Sequence, residues 1–70
     1  MKAVAIRDDF IKLGQLLKLA GLVSTGVEAK AVITGGEVKL NAETEVRRGK
    51  KVFPQDVVEY GGEEVMVIKE

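Results

Sequence analysis

Polar and apolar positions alternate at the start of the chain. In "KAVAIR", Val4 and Ile6 fall on one side, a period of two that predicts a first strand. Asp8 and Asp9 then mark a turn. From Leu13 the period lengthens. Leu13, Leu16, Leu17 and Ala20 recur at helical spacing, Lys12, Gln15 and Lys18 fall off that stripe, and Gly21 closes the helix. A second helix opens at Thr25, where Glu28 follows at the spacing of a capping box. Its apolar side is Ala29, Val32 and Ile33, Lys30 lies off it, and Gly35-Gly36 stops it.

After Gly36 the pattern is strand and turn. "EVKLN" alternates, with Val38 and Leu40 inward and Glu37, Lys39 and Asn41 outward. "NAET" predicts a turn, Val46 begins another short strand, and "FPQD" turns again with its proline preset for it. "VVEY" and "EEVMVIK" are strands joined by a hairpin turn at Gly61-Gly62. The predicted order is β-α-α-β-β-β-β. That is an α+β fold, with a helical hairpin packed on one side of a small, mostly antiparallel sheet.

Composition narrows the chemistry. Seventy residues make one domain, 1–70, with no room for a second. The chain has no cysteine and no histidine, which removes disulfides, the usual zinc ligands, thiol nucleophiles and the commonest general base. Asp8-Asp9 is the one carboxylate pair beside a turn, and it has no partner base, nucleophile or ligand set. The expectation is a protein that is not an enzyme and holds no metal or cofactor. The N-terminal apolar run is too short for a signal segment or a membrane span, so a cytoplasmic monomer away from membranes is expected. Phe10, Phe53 and Tyr60 are the only aromatic residues and are assigned to the core.

Charge adds an asymmetry that the zero net total hides. Residues 10–51 carry eight Lys and Arg against four Glu, while residues 52–70 carry one Lys against five Asp and Glu. The run "RRGKK" alone packs four cations into five positions, Arg47–Lys51. Such a run is commonly a solvated turn; it is also one wall of the basic face that a polyanion needs.

The frame "KLGQLLKLAGLVSTGVEAKAVITGGEVKLN…RRGKKVFPQDVV", about residues 12–58, resembles the ribosomal protein S-four RNA-binding domain, or αL motif. It is most similar to the small stand-alone bacterial members, in which "LGQ-x-LK" and "RRG-[KR]-K" occur in this order. Lys12 and Leu13 match the family's opening, and Thr25 takes its serine position. Ala29-Lys30, Ile33, Gly36, Val38, Asn41 and Asp56 follow in place. Two departures matter. Gly26 stands where the family has an arginine, which removes a phosphate-binding fork, and Ala42 replaces a glycine, which suggests a different turn conformation.

The resemblance implies binding of structured RNA, ribosomal or transfer, and association with the ribosome. The candidate contacts are Lys12, Gln15 and Lys18 from the first helix, and Thr25 and Lys30 from the second. Lys39 and Asn41 come from the strand, and Arg47, Arg48, Lys50 and Lys51 from the loop. Plainer roles stand beside these: solvation for the lysines, packing for Gln15, a helix cap for Thr25, a turn for Asn41. A protein-interaction adaptor using the same face is the alternative. A β-grasp sulfur carrier is more remote, because the Gly-Gly of "EYGG" is internal.

Overall fold

In the computed structural model, which describes residues 1–70, most of the periodic stretches form the elements expected of them. Strand β1, Lys2–Ile6, turns Val4 and Ile6 inward. Two short strands, β2 at Ile11–Lys12 and later β5 at Lys51–Val52, pair only with each other. Helix α1, Leu13–Leu19, buries Leu13, Leu16 and Leu17. Gly21, at φ 74°, ends it in the left-handed conformation, and Lys2 Nζ donates to the Ala20 carbonyl at 2.6 Å. That places a cation at the negative end of the helix dipole. Helix α2, Gly26–Thr34, is capped by Thr25, whose Oγ1 accepts from the Glu28 N–H at 3.1 Å. The return bond of the box is displaced by one residue: Glu28 Oε1 accepts from the Ser24 N–H at 2.8 Å.

Strands β3 (Lys39–Leu40), β4 (Glu43–Thr44), β6 (Val57–Tyr60) and β7 (Glu63–Lys69) join β1 in a five-stranded sheet of order β1-β7-β6-β3-β4. The β1–β7 pair is parallel and the other pairs are antiparallel. One core lies between this sheet and the two helices. It holds 15 buried residues, all of them apolar, among them both predicted helical stripes and Val38. No helix is long and apolar enough to cross a membrane.

The predicted element order is corrected: it lacks β2, and β4 within the "NAET" read as a turn, because these strands have two residues each, too few to show alternation. Val46 starts no strand and is 53% exposed, because the chain curls there. Glu45 Oε2 accepts from the Arg47 N–H at 3.0 Å, the Lys50 N–H donates to the Arg47 carbonyl at 3.2 Å, and pairing resumes only at Lys51.

Ala42 occupies the second position of the β3–β4 turn. Asn41 and Ala42 hold φ of 50° and 71°, so the alanine keeps the left-handed conformation that glycine favours. Gly61 and Gly62, at φ 62° and 82°, make the β6–β7 hairpin turn inside the sheet, which is not the free tail of a sulfur carrier.

The aromatic assignment also fails for two of three rings. Tyr60 packs against the core, but Phe53 is 47% exposed and Phe10 is half-buried. In the β2–β5 ribbon Ile11 stands opposite Val52, and Val52 is fully buried. The next residue outward on each strand, Phe10 and Phe53, therefore points to the other side.

Candidate nucleic-acid interface

Helix α1 starts without a side-chain cap. Lys12, its N-cap residue, is extended at φ −73° and ψ 144° and belongs to β2 rather than to the helix. The first N–H groups of a helix need partners from outside it. The "RRGKK" loop supplies them: the Lys50 carbonyl accepts from Leu13 N–H at 2.9 Å, and the Arg48 carbonyl from Gly14 N–H at 3.0 Å. The loop's backbone is thus docked on the start of α1. Gly14 is not required for this approach, since a methyl there would lie 3.6 Å from Arg48 Cβ, an ordinary contact.

Docking the loop closes a cleft of about 340 Å³ lined by Lys12, Gln15, Lys18, Lys30 and Arg48, with Gly14, Gly26, Ala29 and Gly49. Four cations and an amide converge there from α1 and its cap, from α2 and from the loop. The lining contains no carboxylate, and none of the ion pairs in the structure involves these four cations. Lys18 Nζ lies 3.9 Å from where a Cβ on Gly26 would stand, beside the first turn of α2. The positive end of a helix and an unpaired ammonium thus share one place, where an anion would relieve both. Gly26 leaves space at the position of the family's arginine, and Lys18 brings a cation to it from the neighbouring helix.

The other candidates lie elsewhere. Glu45 holds Arg47 in a two-pronged clip, Nε to Oε2 at 2.9 Å and Nη2 to Oε1 at 3.2 Å. These bonds lower the Glu45 pKa from 4.5 to about 2. Arg47, Lys50 and Lys51 line a second depression together with Glu43, Glu45, Asp56 and Phe53. Thr25 is occupied as the α2 cap. Asn41 spends both ends of its amide on the fold: Nδ2 donates to Asp56 Oδ1 at 3.0 Å and Oδ1 accepts from Val57 N–H at 2.9 Å. Lys39 stands opposite Glu59 in the β3–β6 pairing, on the sheet face that Val58 and Leu40 turn away from. Lys12, Gln15, Lys18, Lys30 and Arg48 therefore line one cleft, whereas Thr25, Lys39, Asn41, Arg47, Lys50 and Lys51 do not line it, although Lys51 stands across the β2–β5 ribbon from Lys12. Sequence reasoning missed the split between adjacent arginines, for which Glu45, two residues before Arg47, is the available signal.

A helical hairpin carrying a basic loop at the start of its first helix, on a small mixed sheet, defines an α+β binding domain of the αL type. The sequence matches the S4 domain over residues 4–68, and the chain belongs to that family. It is 42% identical over 59 residues to the probable ribosome maturation protein RlbA of Bacillus subtilis (strain 168), covering 84% of this chain and 83% of the relative. The solution structure of YbcJ from Escherichia coli, described as revealing an αL motif involved in RNA-binding, superposes with a TM-score of 0.75 at 30% identity. That match covers 97% of this chain and 87% of YbcJ. The 30S ribosomal protein S4e of Thermoplasma acidophilum superposes with a TM-score of 0.63 at 26% identity, over 83% of this chain and 31% of that one.

Proposed function

We propose that this protein is a non-enzymatic RNA-binding module, acting as one domain in the cytoplasm on structured ribosomal or transfer RNA. The observation that carries this reading is the cleft in which Lys12, Lys18, Lys30 and Arg48 converge without a carboxylate among them. Uncompensated cations held by separate elements repel one another unless a polyanion arrives, and RNA phosphates are that polyanion. The mechanism is docking on a preformed face: lysines act as point charges, Arg48 gives a planar fork, and Gln15 offers a donor and an acceptor to a 2′-hydroxyl. Family membership supports the reading, as does the ribosome maturation role in the name of the B. subtilis relative. On that footing the ribosome, or a ribosomal precursor, is the setting.

Titration of labelled ribosomal stem–loops and transfer RNA against the protein, repeated over a series of salt concentrations, tests the proposal. Arg48→Ala and Lys18→Ala each lower the slope of log K against log salt by about one unit. Arg47→Ala and Lys39→Ala leave the slope unchanged, because those cations lie outside the cleft. Binding that is absent, or indifferent to salt, overturns the proposal.

A further inference from the structure

The exposed face of the β2–β5 ribbon carries more than charge. Lys12 stands directly opposite Lys51, and opposed residues of an antiparallel pair project to the same side. Phe10 and Phe53 are the next residues of the same parity. Their ring centroids are 6.0 Å apart with the planes at 50°, and Lys51 Nζ sits 4.7 Å from the Phe10 ring centre. The Phe10 ring is thus engaged by a cation, while Phe53 remains 47% exposed.

Two phenylalanines outside an aliphatic core call for a reason, since this chain has one other aromatic side chain. Packing the two rings against each other does not require Phe53 to stay open to solvent. The acids near the ring are mostly engaged. Asp56 Oδ2 accepts from Phe53 N–H at 2.8 Å and its Oδ1 from Asn41, and both Glu45 oxygens hold Arg47. Only Glu43, among the carboxylates of that depression, is without such a bond, beside Lys50 and Lys51.

We infer that Phe53, backed by Phe10 and flanked by Lys50 and Lys51, is a stacking platform for one unpaired base of an RNA whose structured part occupies the cleft. This rests on the RNA reading above and deepens it. The argument is continuity: Lys12 lines the cleft, its cross-strand partner Lys51 covers Phe10, and a strand leaving the cleft along the ribbon reaches the open ring. Bases stack on aromatic side chains with little regard to sequence, and neighbouring cations hold the backbone beside them. The selected substrate is then structured RNA with a single-stranded extension or bulge next to the helix, in preference to a continuous duplex.

The test compares a blunt RNA duplex with the same duplex bearing a short unpaired tail. The tail improves affinity for the unmodified protein about tenfold, and Phe53→Leu removes that gain while leaving the blunt duplex bound as before, which also shows that the variant folds. Phe53→Trp keeps the tail preference and, in a chain without other tryptophan, its fluorescence is quenched by the tailed RNA and not by the blunt one. Equal affinity of the unmodified protein for the two RNAs, or a tail preference that survives Phe53→Leu, overturns the stacking site alone. Failure of both RNAs to bind the unmodified protein overturns the RNA reading with it.

Discussion

Ala42 and Gln55 hold φ of 71° and 77°, a region where a Cβ crowds the following carbonyl. Ala42 follows Asn41, whose N–H donates to the Val57 carbonyl at 2.7 Å, and Gln55 is held by the bond from its N–H to the Val67 carbonyl at 2.6 Å. Relieving the first is simple: Ala42→Gly is expected to raise stability by about 0.5–1 kcal/mol, read as a higher urea midpoint. The Glu45–Arg47 clip makes a second prediction. Folding lowers the Glu45 pKa from 4.5 to about 2, so its contribution is present above the unfolded value and fades as pH falls toward the folded one. Glu45→Gln should therefore be less stable than the unmodified protein at neutral pH. The gap in denaturation midpoint should close on acidification from about pH 5 to about pH 2, and a gap constant across that range would show that the clip contributes nothing through charge. The effect is modest, because Arg47 is largely exposed.

At the scale of elements, the start of α1 trades stability for charge. Lys12 caps the helix with no side-chain bond and stands opposite Lys51, a like-charge pair that an antiparallel ribbon does not favour. Lys12→Ser supplies an N-cap oxygen and removes the repulsion, and should raise stability by about 1 kcal/mol while weakening RNA binding. Thermal unfolding and RNA titration on one preparation check both halves. The two helices were legible in the sequence because their stripes, the Thr25 cap and the stop at Gly21 are set by spacing within a few residues. The cleft was legible only in part. Gln15, Lys18 and Lys30 follow from helix periodicity, but Lys12 lies in β2, and Arg48 joins them through the docking of its carbonyl on Gly14 N–H. The outward turn of Phe10 and Phe53 depends on the β2–β5 register, which pairs residues about 40 positions apart and leaves no local pattern.

Over the whole molecule, the cleft cations and part of the acidic tail lie on different sides of the sheet. The cleft lies on the helix side, while Glu59 and Glu64 oppose each other on the sheet face turned away from the buried Val58 and Val65, with Lys39 opposite Glu59. If all four cleft cations meet phosphates, the unmodified protein loses roughly a hundredfold in affinity for a fourfold rise in salt, a value the same titrations measure. The sheet order carries a different consequence, one of time. β1 lies at an edge of the sheet and pairs only with β7, so residues 2–6 bond to residues 65–69 across nearly the full length of the chain. The helical hairpin and the β6–β7 hairpin can form by short closures, whereas β1 has no partner until the last strand exists. Assembly therefore has an order: β1 precedes β7 in the chain but cannot join the sheet before it, and residues 2–6 lack their ladder of backbone hydrogen bonds until β7 is in place.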